Sequence, residues 1–207
     1  MTVKIKNCGL KTSDAIVAAE MTGASFVGFV HHAPSPRHLP LEAIATLSKQ
    51  TPESLKQVVV LVKPDDALID AILKQIKPHF LQVHGVADPK RLADIRNRAP
   101  LITAIGVSGK DDLAPASSCE SVSDHLLFDG KTSGSGEVFD WSVLSGLALK
   151  KPWFLAGGLN AGNVAAALAI THAPMVDISS GIESAPGIKS LEKIAAFNKA
   201  VLNAAHG

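Results

Sequence analysis

The stretch from Trp153 to Gly181, WFLAGGLNAGNVAAALAITHAPMVDISSG, contains one complete unit of alternating structure. Trp153 to Ala156 is a short apolar run of strand composition, and the Gly157-Gly158 pair ends it. Asn160 is placed to cap a helix over Val164 to Ile170. The next apolar run, Met175 to Ser179, begins 22 residues after the first and closes on Ser180-Gly181. That distance is one strand, one helix and two short loops.

The same unit recurs toward the N-terminus. Apolar, β-prone runs are expected at Val3 to Cys8, Phe26 to His31, Gln57 to Val62, Phe80 to His84, Leu101 to Val107 and His125 to Asp129, with successive starts 21 to 31 residues apart. Helices are expected between them. Thr12 or Ser13 caps a segment running through Glu20, Pro40 is the first helical residue before Leu41 to Leu47, and Pro64 with Asp65 introduces Ala67 to Ile76. Asp88 and Pro89 introduce Leu92 to Arg98, and Ser190 caps Leu191 to Leu202. Gly109 to Ser123 is the least regular interval. Eight strand-helix units whose strands are apolar on both faces predict an α/β protein, a closed (β/α)8 TIM barrel forming one compact domain over residues 1–207. A doubly wound open sheet shares the repeat, but no GxGxxG follows the first strand, and the glycine-rich loops come after strands six, seven and eight.

Composition narrows the function. With 46% hydrophobic and 19% charged residues among 207, the chain buries a core without disulfides. The balance of 20 Lys and Arg against 19 Asp and Glu gives a net charge of +1, which predicts no nucleic acid partner and no anionic membrane partner. The start lacks the apolar region of a signal peptide and no run is long enough to span a bilayer, so a cytoplasmic protein is expected. Cys8 and Cys119 lack zinc or redox spacing and read as free thiols; the histidines form no metal triad, and HExxH is absent. No metal site is expected. The surface permits a monomer or a homodimer.

Barrel chemistry gathers at the C-terminal ends of the strands. That rule isolates Cys8, the His31 to His38 loop, Gln82 and His84, Asp129, Gly157-Gly158 and Ser179-Ser180-Gly181. Cys8 reads either as a small buried hydrophobe or as a thiol reaching into the barrel mouth. Asp129 reads either as a turn residue or as an acid in a cleft; under the second reading of each, the two together supply a base and an acid, and neither alone establishes catalysis. Gly157, Gly158, Ser179, Ser180 and Gly181 form a candidate phosphate cradle, with tight turns as the plain alternative. Arg37, between prolines and a histidine, has the fork geometry to hold a carboxylate or phosphate, and is equally readable as a solvated loop arginine. Lys131 to Gly136 is rich in donors without matching a P-loop. Lys4 and Lys6 alternate with Ile5, which by itself specifies no inward amine.

These residues carry a resemblance to the phosphoribosylanthranilate isomerase family of tryptophan biosynthesis. It runs from Lys4-Ile5-Lys6-Asn7-Cys8-Gly9-Leu10 through Ser35-Pro36-Arg37 and Gln82-Val83-His84-Gly85 to Phe128-Asp129. It continues through Gly134 to Gly136, Leu155 to Asn160, Val176 to Glu183 and Pro186-Gly187-Ile188-Lys189, covering almost the whole chain in order. The resemblance implies a cofactor-free barrel isomerase that converts a small-molecule phosphoribosyl substrate, N-(5-phosphoribosyl)anthranilate, by an Amadori rearrangement. It implies Asp129 as general acid and Cys8 as general base. Arg37 would face the anthranilate, the loops bearing Gly157, Gly158, Ser179, Ser180 and Gly181 the phosphate, Gly134 and Gly136 would help enclose substrate, and His84 would support it. A thiol pKa near 8.5 suits a base once electropositive neighbours lower it.

The chain departs from the family pattern at His31-His32-Ala33, at Val62-Lys63-Pro64, where Asn is common at the position of Lys63 or next to it, and in the loop Gly130 to Gly136. Two other functions fit a phosphosugar barrel. One is a related aldolase, epimerase or indole-forming synthase, which calls for a Schiff-base lysine, paired acids or a metal. The other is a ligand binder without chemistry, against which the presence of both Cys8 and Asp129 argues.

Overall fold

The computed structural model describes residues 2–130 and 139–204. Eight strands, β1 (Lys4–Cys8), β2 (Phe26–Val30), β3 (Lys56–Val62), β4 (Phe80–His84), β5 (Leu101–Val107), β6 (His125–Gly130), β7 (Trp153–Leu155) and β8 (Met175–Ile178), form the closed barrel that the repeat predicts. Each is parallel to the next, and β8 returns to β1 with Lys6 opposite Asp177. The helices are α1 (Ser13–Met21), α2 (Leu41–Gln50), α3 (Asp66–Gln75), α4 (Pro89–Arg96), α5 (Ala116–Ser121), α6 (Val164–Thr171) and α7 (Leu191–Ala204). Among the described residues no helix is long and apolar enough to cross a membrane.

Most helix starts follow the expected side-chain chemistry. Thr12, Asp65 and Asp88 accept hydrogen bonds from the backbone N–H groups of Ala15, Leu68 and Lys90, donors that a helix leaves unpaired in its first turn. Ser190 accepts from Lys193 N at 3.3 Å. Two expectations are corrected. Pro40 is the cap of α2 rather than its first residue, and Asn163, not Asn160, occupies the cap of α6. Asn160 instead folds the approach: its side chain accepts from Gly162 N, while its own N–H donates to the Asn163 side chain. The irregular interval resolves into a 3-10 turn, Lys110–Leu113, and the short α5, in which Cys119 is buried. A hairpin that the apolar pattern did not show, β9 (Glu183–Ala185) with β10 (Ile188–Lys189), precedes α7.

The period of two along the strands separates two cores. Residues such as Ile5, Val27, Val59 and Leu81 face outward into the layer between barrel and helices. Cys8, Phe26, Val58, Val60, Ile102, Leu127, Phe154 and Met175 fill the barrel interior. On β1 this alternation turns Lys6 inward with Cys8 and Asn7 outward, where it exchanges reciprocal amide hydrogen bonds with Asn198 of α7. The polar lock ties the last helix to the first strand.

Candidate active site

A cavity of about 790 Å³ opens at the C-terminal ends of the strands, where barrel geometry leads one to expect it. Of the residues singled out in the sequence, Cys8, Arg37, His84, Asp129, Ser179 and Ser180 all line it. They come from β1, β4, β6 and the segments after β2 and β8. Gly157, Gly158 and Gly181 are not in its wall. Gly134 and Gly136, with the segment Lys131 to Gly136, lie outside the described residues.

Cys8 is buried, and its neighbour across β2 is Gly28. A Cβ at Gly28 would sit 2.7 Å from Cys8 Sγ, so this glycine makes the room the thiol occupies. Beneath the thiol lies Lys6, fully buried, whose Nζ is 2.9 Å from Asp177 Oδ1 and whose positive charge acts on Cys8. Electropositive neighbours are therefore present as anticipated, but they do not prevail. Burial pushes the thiol pKa upward, Asp177 adds to it, and the opposing pull of Lys6 and Lys189 is smaller. Burial likewise works against the charge of Lys6, yet its partners Asp177 and Cys8 raise its pKa overall and keep it an ammonium.

Asp129 stands at the end of β6 with Gly157 of the following β7 loop against it. A Cβ at Gly157 would lie 2.7 Å from the backbone N of Gly130 and 3.2 Å from Asp129 Oδ1, and its φ of +86° already favours glycine. Gly181 plays the same part between loops seven and eight, where a Cβ would meet the carbonyl oxygen of Leu159 at 2.0 Å. The glycines thus let three loop backbones approach one another behind the cavity wall.

Arg37 is not a solvated loop residue. Its Nε and Nη2 donate to the two carboxylate oxygens of Glu183 at 2.7 and 2.9 Å, and Lys189 Nζ donates to Glu183 Oε1 at 2.8 Å. Burial opposes the Glu183 carboxylate, but these hydrogen bonds outweigh it and hold its pKa below the ordinary range. Lys189 also donates to Ser179 O at 2.8 Å, and the Ser179 hydroxyl donates to Cys8 O at 3.2 Å. One network therefore runs from the β2 loop through the β9–β10 hairpin to the end of β1.

His84 is held neutral: burial lowers its pKa to about 4, with Lys6 and His32 adding repulsion. Its Nε2 lies 2.9 Å from the amide nitrogen of Gln82. His32 lines the cavity, whereas the His31 ring bonds Leu39 O at 2.9 Å and packs on His38. Lys63 adopts φ +44°, a left-handed conformation that Asn tolerates better, and its side-chain stem packs over Gly85.

Sequence reasoning singled out no role for Lys6, Gln82, Asp177, Glu183 or Lys189. The parity of β1 was the available signal for Lys6, since residues two apart share a face. Nothing local announces Glu183 as the partner of an arginine 146 positions away.

The model of the N-(5'-phosphoribosyl)anthranilate (PRA) isomerase family matches residues 5–200. The N-(5'-phosphoribosyl)anthranilate isomerase of Azorhizobium caulinodans is 46% identical over 210 residues, covering 97% of this chain and 92% of its own length. That of Parvibaculum lavamentivorans is 43% identical over 215 residues, covering 99% and 100%. The crystal structure of phosphoribosyl anthranilate isomerase from Thermotoga maritima has a TM-score of 0.90 at 29% identity, covering 97% of this chain and 98% of that one. A phosphoribosyl anthranilate isomerase in complex with reduced 1-(o-carboxyphenylamino)-1-deoxyribulose 5-phosphate has a TM-score of 0.85 at 28% identity, with coverage of 97% and 98%. Matched along almost its whole length in sequence and in fold, the chain belongs to the phosphoribosylanthranilate isomerase family and is an isomerase.

Proposed function

We propose that Asp129 and Cys8 divide the acid and base work of this chain's reaction, the rearrangement of N-(5-phosphoribosyl)anthranilate to 1-(2-carboxyphenylamino)-1-deoxyribulose 5-phosphate in tryptophan biosynthesis. Protonated Asp129 gives its proton to the ribose ring oxygen as the C1–O bond breaks, and the anthranilate nitrogen lone pair forms the iminium. The Cys8 thiolate then takes the proton from C2, the C–H electrons form the enolamine, and proton transfer from the C2 hydroxyl to C1 completes the ketone. What supports this division is that a thiol from β1 and a carboxyl from β6 line the same cavity, with an ammonium, Lys6, whose charge pulls on the thiol.

The remaining residues take roles that fit their surroundings. Arg37, anchored on one edge by Glu183, faces the anthranilate, and His84 supports the substrate. Ser179 and Ser180, beside the close-packed glycines Gly157 and Gly181, receive the phosphate together with Gly158; the family pattern alone assigns Gly134 and Gly136 to enclosing the ligand. The test follows the fluorescence of freshly generated substrate. Wild type consumes it, and Cys8→Ser and Asp129→Asn each lower kcat by about 10²- to 10⁴-fold with unfolding midpoints near wild type. A folded wild-type protein that binds substrate without turnover overturns the proposal in favour of a binding protein.

A further inference from the structure

Gln82 lies on β4, is 2% exposed and lines the cavity. Its amide nitrogen donates to His84 Nε2 at 2.9 Å, while its carbonyl oxygen is buried and no donor among the described residues reaches it. A buried acceptor without a donor lowers stability, and native structures contain few of them. Along the hydrogen-bonded row, Gln82 stands opposite Val60, which stands opposite Val30, and both valines line the cavity. Gln82 is thus the polar member of an otherwise aliphatic strip of wall, the arrangement by which pockets fix the orientation of a ligand.

The Gln82 amide turns its NH2 end toward His84. Its imidazole is neutral, and with Nε2 accepting, the proton sits on Nδ1 and the Gln82 NH2 remains on the histidine side. The carbonyl oxygen is left to the cavity. Ring opening turns the ribosyl group into an open chain that carries hydroxyl donors, and the cavity takes that chain between acid and base.

We propose that Gln82 is a substrate-contact residue whose carbonyl oxygen accepts a hydrogen bond from a hydroxyl of the ribosyl chain, with His84 as the positioning residue that holds the amide. This rests on the isomerase reading of the cavity. Its ligand class is a polyol phosphate, and the contact contributes to orienting C2 toward the base.

The experiment compares wild type with Gln82→Met, which keeps the length and apolar volume and removes the amide. Three quantities are read: kcat/KM for N-(5-phosphoribosyl)anthranilate, the dissociation constant of ribitol 5-phosphate, and the urea midpoint. The expected result is a loss of about 10- to 100-fold in kcat/KM, a parallel weakening of ribitol 5-phosphate, and a midpoint equal to or above wild type. A side chain that only supports the fold gives the reverse pattern, a lower midpoint with kcat/KM within about twofold of wild type, and overturns the proposal. A fall in kcat/KM with ribitol 5-phosphate binding unchanged assigns the carbonyl to the arylamine N–H and overturns the hydroxyl contact. Should the methionine variant not fold, Gln82→Leu is read in the same way. Absence of turnover in wild type defeats the isomerase reading alone, since the ribitol 5-phosphate measurement needs no turnover.

Discussion

Lys6 Nζ lies 2.9 Å from Asp177 Oδ1, an ion pair between directly opposed residues of β1 and β8, closed inside the barrel beneath the Cys8 thiol. Such a pair costs much to desolvate, and removing one partner strands the other charge. Lys6→Met is therefore expected to destabilise the protein by about 3–5 kcal/mol. The double variant Lys6→Met/Asp177→Leu recovers most of that in urea unfolding but does not recover turnover, because the ammonium beside the thiol is gone. A double variant no more stable than the single one would show that the cost does not arise from the stranded carboxylate.

Gly28 gives a second prediction about the same thiol. An added methyl group would meet Sγ at 2.7 Å and the Cys8 Cα at 3.2 Å, so the thiol must move to admit it. Gly28→Ala is expected to lower kcat by roughly 10²-fold, the scale of a 1 Å displacement of a reacting group, with a stability loss of about 1–3 kcal/mol. Gly109→Ala is the control, because a Cβ there meets nothing within 4 Å. Equal kinetics in the two variants would refute the argument.

The barrel was legible in the sequence because each unit carries its own signals: apolar strands of regular spacing, and caps such as Thr12, Asp65 and Asp88 whose chemistry is complete within three residues. The exchange of Asn160 for Asn163 shows the limit of that reasoning, since two asparagines compete for one helix start and the loop backbone chooses between them. The cavity lining was legible where a residue ends a strand, as with Cys8, His84 and Asp129. It was hidden where placement depends on a partner distant in sequence, as with Arg37 and Glu183, or on facing, as with Lys6. The β9–β10 hairpin escaped because strands of three and two residues are too short to show alternation.

Acid stability tests the environment of His84. Its pKa is lowered from 6.5 to about 4 by burial, with repulsion from Lys6 and His32 adding. Between those values the unfolded chain binds the proton and the folded chain does not, so this histidine's contribution to stability is present above about pH 6.5 and is lost as pH falls toward 4. The full effect is about 3 kcal/mol for a shift of that size. His84→Asn is expected to lose less stability than wild type over that interval in urea titrations. Parallel curves for the two proteins would place the imidazole in water.

The Cys8 thiol acts at the other end of the pH scale. Burial raises its pKa above that of the unfolded chain, so the folded protein keeps the proton where the unfolded one has released it. Stability from this group is complete below the unfolded pKa, near 8.5, and declines as pH rises past it. Wild type is expected to lose stability in that alkaline range relative to Cys8→Ser, which has no thiol to titrate. Activity responds in the opposite direction, since a thiolate base becomes available as pH rises, so kcat/KM climbs on the alkaline side of neutrality. In Lys6→Met the opposing pull of the ammonium is gone, and the climb moves to still higher pH. A pH profile that is flat from neutrality upward in wild type, with no displacement in Lys6→Met, would mean that the proton at C2 is taken by another group.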